Sequence, residues 1–155
     1  MFNVRVYGIL LNENNEVLVA DLYIRGARYT KFPGGGLEFG EGTRDCLKRE
    51  FMEELSLEIE VGDHIYTTDY FQPSAFRPDQ QIISIYYYAH AKTQINHPLK
   101  NAPFEYDEDQ LKEYEKTQEI ESYRFVPLKD FSSSTVDLPI DKIAAGLVAE
   151  TPKNK

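Results

Sequence analysis

Polar and apolar residues alternate over residues 3–7, and the apolar ones then run on through residue 11 (NVRVYGILL), as in a strand passing into a buried sheet. The polar segment 12–16 (NENNE) supplies a turn, and 17–24 (VLVADLYI) reads as an antiparallel partner, so the chain is expected to open with a β-hairpin. Arg25, Arg28 and Lys31 follow in an expected loop with Gly26 and Tyr29. Pro33-Gly34-Gly35-Gly36 argues against regular strand or helix there, because proline fixes φ and glycines open conformations closed to other residues. From Thr43 to Leu55 the period changes to that of a helix. Leu47, Phe51 and Leu55 form its apolar stripe, and Thr43 is the N-cap candidate.

Strand patterning returns over residues 58–71, with Gly62-Asp63 as a bulge or turn and His64 as a strand side chain. A loop over 72–80 leads into residues 81–93 (QIISIYYYAHAKT), whose β-branched and aromatic density predicts a central strand holding His90 as a satisfied structural histidine. Residues 94–118 are polar and acidic, a long loop or lid with a helical turn near 109–116. A strand over 119–126, a short turn and an amphipathic helix over 138–150 close the chain, with 151–155 as a frayed tail. Strands, one helix after a glycine turn, more strands and a terminal helix define an α/β fold with a mixed sheet between helices, and residues 1–150 read as one domain.

Composition changes this picture little. At 155 residues the chain can bury its own core, and no apolar run approaches the ~20 residues needed to span a bilayer. The opening Met1-Phe2-Asn3-Val4-Arg5 lacks a secretory pattern, and Cys46 is the only cysteine, so a cytoplasmic location is expected. The net charge of −9 argues against non-specific nucleic acid binding, which needs a basic face. It favours local cations wherever an anionic ligand is handled.

The chemistry concentrates after the glycine turn. On a helix Glu50, Glu53 and Glu54 fall within an arc of roughly 100° and face one patch of space. Arg49 lies beside Glu53 but cannot balance three carboxylates. A hard divalent cation with oxygen ligands can.

These residues resemble the signature of the Nudix hydrolases, G-x5-E-x7-R-E-(apolar)-x-E-E-x-G-(apolar), met here by Gly35, Glu41, Arg49, Glu50, Phe51, Glu53, Glu54 and Leu57. Ser56 stands where the signature has its last glycine, which puts the turn after the helix in question. The resemblance implies an α/β/α sandwich and a pyrophosphohydrolase using Mg²⁺ or Mn²⁺ on a nucleoside diphosphate linked to another moiety. It implies that Glu53 and Glu54 are metal ligands and that Glu50 is a third ligand or the base orienting water. A carbonyl of Gly35 or Gly36 would join the metal, Arg49 would hold the carboxylates, and Glu41 would support the loop.

Glu119 is the candidate carboxylate from outside the motif, with Glu121 at the same strand parity and Glu108 as alternatives. Pro73 resembles the ADP-ribose pyrophosphatase branch, which makes ADP-ribose or a related sugar nucleotide the expected substrate. Phe71, Phe76 or Tyr70 could stack a base, and Arg25, Arg28 or Arg77 could bind phosphate. The alternatives are a hydrolase sanitising non-standard nucleoside triphosphates and a non-catalytic nucleotide sensor. Relatives often dimerise, so a homodimer is also open, although no stretch marks an interface.

Overall fold

The computed structural model describes residues 1–150. Among the described residues there are seven strands: β1 (Phe2–Leu10), β2 (Glu16–Ile24), β3 (Ala27–Lys31), β4 (Gly34–Gly36), β5 (Ile59–Thr67), β6 (Gln81–Ala91) and β7 (Glu119–Pro127). The helices are α1 (Thr43–Leu55), α2 (Glu108–Thr117) and α3 (Pro139–Ala149). One sheet has the order β4-β1-β6-β5 and is mixed, because β1 runs parallel to β6 and antiparallel to β4. The second, β3-β2-β7, is antiparallel.

The opening hairpin does not form as expected. The chain does reverse at residues 12–16, where Asn12 N–H donates to the Glu16 carbonyl at 3.0 Å. A strand has only two edges, however. Those of β1 are taken by β4 and β6 and those of β2 by β3 and β7, which leaves the isolated bridge Leu11–Val17 to join them. Two further expectations are corrected. Arg28 and Lys31 lie on the strand β3, and Gly34–Gly36 pairs with β1 as a short strand.

Alternation along the strands builds two cores. Val6 and Leu10 of β1, Leu18 and Ala20 of β2 and Tyr123 of β7 face α1, where Leu47, Phe51 and Leu55 are buried among them. Tyr7 and Ile9, Val17 and Val19, Tyr86 and Val126 point the other way, onto Ile140, Ala144, Ala145 and Val148 of α3. The result is an α/β/α sandwich. Each large side chain buried from α1 contributes roughly 1.5–3 kcal/mol, so this stripe fixes the helix against the sheet. Gly8 makes that contact possible, since a Cβ there would lie 2.8 Å from the Phe51 ring.

The ends of α1 differ from the expectation. Gly42, without a side-chain bond, is the N-cap, while the Thr43 hydroxyl lies 2.7 Å from that of Tyr87. At the other end Ser56 adopts φ 50° and ψ 37°, with its N–H on the Met52 carbonyl and that of Leu57 on the Phe51 carbonyl. The turn that a glycine would serve is thus kept, with serine held in the left-handed region. Left-handed backbone costs an L-residue about 1–2 kcal/mol, and glycine returns about 0.4–1 through unfolded-chain entropy. Ser56→Gly should therefore raise the urea midpoint by the equivalent of about 0.5–1 kcal/mol. An unchanged or lower midpoint would show that the serine is not strained.

Elsewhere β5 carries the expected irregularity, with register shifts between Val61 and Tyr66. The 94–118 segment ends in α2, capped reciprocally by Asp107 and Gln110. His90 lies near the end of β6 and is exposed. The tail 151–155 lies outside the described residues, and no helix among those described is long and apolar enough to cross a membrane.

Candidate active site

Helix α1 presents its charged arc to β4, and Arg49 organises it. Its guanidinium forms a two-pronged contact with Glu41, Nη2 to Oε1 at 2.7 Å and Nε to Oε2 at 2.9 Å. Nη1 donates to Glu50 Oε1 at 3.0 Å and to Glu53 Oε2 at 3.1 Å, and Nη2 donates to the Gly36 carbonyl at 3.1 Å. One cation thus ties three carboxylates to the glycine strand. The Arg49 bonds, helped by the Glu38 backbone, pull the Glu41 carboxyl down to about 2. Burial pushes the neighbouring Cys46 thiol up to about 12, which leaves it unreactive.

Glycine matters most at Gly35. A Cβ there would sit 2.4 Å from the Glu50 carboxyl carbon, so the bare Cα is what admits that side chain. The flanking bonds, Gly8 N–H to Pro33 C=O and Leu37 N–H to Val4 C=O, put Val6–Gly35 in the hydrogen-bonded phase of the ladder. The Gly35 carbonyl therefore belongs to the sheet, and that of Gly36 points outward to Arg49.

Glu54 sits deeper, away from Arg49. The Tyr123 hydroxyl lies 3.2 Å from Glu54 Oε2 and 2.6 Å from Glu121 Oε1. A hydroxyl carries one proton and can donate to only one of them. The short contact assigns that proton to Glu121, so Glu54 completes its own contact when protonated. Burial first, and then the charge of Glu121, push the Glu54 carboxyl up to about 8. Lys31 opposes the rise.

Glu54 and Glu121 line a cavity of about 330 Å³. Arg5, Lys31, Glu54, Glu121, Tyr86 and Asp141 reach into it from six different elements. Lys31 is 6% exposed and donates to the Phe32 carbonyl at 2.9 Å. Burial works against its charge, but Glu121, Tyr7, Glu54 and Asp141 together outweigh burial and raise its pKa. Arg5 donates to the Tyr7 hydroxyl at 2.6 Å, and its pKa is raised too, through Tyr7 first and then Glu50 and Glu54.

The structure brings together only part of the expected set. Glu50 adds to the negative charge felt by Glu54, whereas Glu53 is half exposed beside Arg49. Glu121, not Glu119, is the β7 carboxylate beside Glu54; Glu119 lies exposed at the cavity mouth. Arg25 and Arg77 also line the mouth, and Phe76 contributes a wall. Arg28 and Phe71 are not among the residues that line the cavity. The Arg28 guanidinium sits 4.4 Å over the Tyr23 ring, and Phe71 is 70% exposed outside the cavity. Strand parity already put Glu121 on the same face as Glu119 and Tyr123. By contrast Arg5, inside an ordinary strand pattern, and Asp141, in a helix first turn, carry no signal of a site.

Residues 1–149 match the NUDIX domain. The chain belongs to that family, the Nudix hydrolases, whose members cleave phosphoanhydride bonds in small nucleotide substrates. Over 54 residues it is 39% identical to the 8-oxo-dGTP diphosphatase of Escherichia coli K12, a match covering 32% of this chain and 40% of that protein. The MutT NUDIX hydrolase of Burkholderia pseudomallei superposes with a TM-score of 0.64 at 16% identity, over 96% of this chain and 98% of that one. An ADP-ribose pyrophosphatase of Streptococcus suis superposes with a TM-score of 0.56 at 12% identity, over 96% and 92%.

Nudix hydrolases use divalent metal ions, and the residues present fit one. All the donors are hard oxygens, and Glu54 is a desolvated carboxyl crowded by Glu121 and Glu50, so an added positive charge would relieve it. Among the described residues no three such side chains are grouped closely enough to hold an ion, and Arg49 bonds both Glu50 and Glu53.

Proposed function

We propose that this enzyme hydrolyses the diphosphate linkage of a nucleoside diphosphate joined to a second moiety, ADP-ribose or a related sugar nucleotide being the substrate class, with Mg²⁺ or Mn²⁺ as its metal. One observation carries this reading: the motif acid Glu54 opens into the same cavity as two cations, Lys31 and Arg5. An acidic protein can hold a diphosphate only where such local cations exist, and here they stand next to the carboxylates.

In this reading Glu50, Glu54 and the Gly36 carbonyl hold the metal, and Glu121 completes the set in place of Glu119. The bound metal supplies charge neutralisation on the phosphates and lowers the pKa of a coordinated water. Glu53, exposed and within reach of Arg49, orients or deprotonates the attacking water. Arg49 positions the carboxylates, and Glu41 anchors Arg49. Lys31 and Arg5 bind the phosphate oxygens, with Arg25 and Arg77 guarding the mouth. The lone buried Cys46 accords with a reducing compartment such as the cytoplasm.

The second reading is hydrolysis of non-standard nucleoside triphosphates, and the local likeness to 8-oxo-dGTP diphosphatase favours it. A single panel separates the two: ADP-ribose, sugar nucleotides, dinucleoside polyphosphates, and standard and oxidised nucleoside triphosphates, each with Mg²⁺ and with Mn²⁺. Turnover highest on ADP-ribose or a sugar nucleotide is the expected result. Preference for an oxidised triphosphate would install the second reading, and no turnover of any compound would leave a nucleotide sensor.

A further inference from the structure

Helix α2 buries none of its residues, so packing into a core does not explain its place. It lies along β7, the edge strand of its sheet, where the Gln110 side chain donates to the Glu121 carbonyl at 3.0 Å. Covering an edge accounts for that bond. It does not account for two others, which reach past β7 to the turn between β2 and β3. Arg25 N–H donates at 2.9 Å to the carbonyl of Gln118, the residue that caps the end of α2. Gly26 N–H donates to the Tyr114 hydroxyl at 2.7 Å. Tyr114 acts in both, because its own carbonyl accepts the Gln118 N–H at 2.7 Å. Its ring lies parallel to that of Tyr23, 3.9 Å from centroid to centroid.

The turn so held carries a cation of the cavity mouth. Arg25 (φ 47°) and Gly26 (φ 81°) both have positive φ, the pattern of a type I′ hairpin turn, whose first position favours asparagine, aspartate or glycine. An arginine there is strained, and residues kept in such strain cluster where a side chain is put to use. Arg25 is exposed and lines the cavity. A long side chain loses freedom when it grips an anion, and a backbone already fixed lessens that cost.

We propose that Tyr114 is a positioning residue for the substrate: through the Gly26 N–H and the Gln118 carbonyl it holds the Arg25 turn so that the guanidinium meets the diphosphate at the cavity mouth. This rests on the phosphate role given to Arg25 above and adds what holds that residue in place. Helix α2 is then a brace that ties together the backbones of Glu121 and Arg25, two cavity-lining residues of different elements. Tyr114 also raises the pKa of the Tyr23 hydroxyl by hydrogen bonding, so Tyr23→Phe is the control for an effect passing through Tyr23 instead.

Calorimetric binding of α,β-methylene-ADP with Mg²⁺, a ligand whose carbon bridge blocks cleavage of the diphosphate, tests this without turnover. The wild-type protein should bind it, and Arg25→Ala should weaken binding about tenfold, as expected for a charge-assisted bond lost at an exposed mouth. Tyr114→Phe keeps the ring on Tyr23 and removes the hydroxyl, and it should weaken binding about threefold. In the Arg25→Ala background the same change should cost nothing further, because its effect runs through that guanidinium. Tyr23→Phe should bind as the wild type does. On the best compound of the substrate panel, Tyr114→Phe should raise KM by a similar factor and leave kcat within about twofold. The proposal is overturned by wild-type affinity in Tyr114→Phe, by the same loss recurring in the Arg25→Ala background, by an equal loss in Tyr23→Phe, by a fall in kcat at constant KM, or by a wild type that does not bind the analogue. Hydrogen exchange needs no variant: the wild-type Gly26 amide should exchange about tenfold or more slowly than an open turn, and exchange at the open rate overturns the proposal as well. If nothing in the panel is hydrolysed but the non-additive losses are found, the catalytic reading fails and this one stands. If hydrolysis occurs with additive losses, only this one fails.

Discussion

Glu54→Gln should lower kcat by on the order of 10³-fold and leave the melting temperature of the metal-free protein at pH 8 equal to or above that of wild type. A neutral amide keeps the shape and the Tyr123 contact but removes a ligand charge, and losing a residue in direct charge of the reacting centre typically costs about 10²–10⁴ in rate. The stability half follows from its carboxyl being pushed up to about 8, above the ordinary value of 4.5. The folded state disfavours the ionised form, so Glu54 costs nothing below about 4.5 and destabilises progressively as pH rises toward 8. The neutral amide carries no such penalty. The metal-free wild type should thus lose stability across that window, and the variant should lose less. Adding Mg²⁺ at pH 7 should release close to one proton from the wild type, because the ligand must be deprotonated, and this release should vanish in Glu54→Gln. Calorimetry in buffers of different ionisation enthalpy reads it. A variant with wild-type kcat and wild-type proton release would remove Glu54 from the metal site.

Much of this was legible in the sequence, and the exceptions have physical causes. The helix Thr43–Leu55 follows from Leu47, Phe51 and Leu55 alone, because a stripe at that period has one way to bury itself. The acid arc follows with it. Strand pairing was less readable, since β1 and β2 look like hairpin partners by local pattern while the edges of each are claimed by strands far away in sequence. Arg28 lies over the Tyr23 ring and Phe71 is exposed, and neither lines the cavity, which local pattern alone did not reveal. The parity rule placed Glu121 as well as Glu119 on the useful face, but only the position of Tyr123 decides between them. Asp141 was illegible for a different reason. An acid in the first turn of a helix ordinarily complements the helix dipole, and only its burial in the cavity wall marks it out.

The glycine strand separates fold from function at adjacent positions. Gly34→Ala should unfold the protein or lower its stability by several kcal/mol. Its φ of 151° disfavours a side chain, and the new Cβ would lie 2.1 Å from the Val6 carbonyl oxygen and 2.7 Å from the Tyr7 Cα. Those atoms belong to β1, at the centre of the mixed sheet, and cannot retreat without breaking its pairing with β6. Gly35→Ala meets a different obstacle. The Cβ would lie 2.4–2.5 Å from the Glu50 carboxyl atoms, the far end of a flexible side chain. Glu50 can swing aside at small cost in stability, so this variant should fold with nearly the wild-type urea midpoint. In moving, however, Glu50 leaves its place beside Arg49 Nη1 and the Gly36 carbonyl. Misplacing a catalytic group by about 1 Å can cost on the order of 10²-fold, and a loss of that size in kcat/KM is expected with the fold intact. Measuring both midpoints and both rates on the pair decides the matter. If Gly35→Ala keeps full activity, Glu50 acts from some other position than the one Gly35 makes room for.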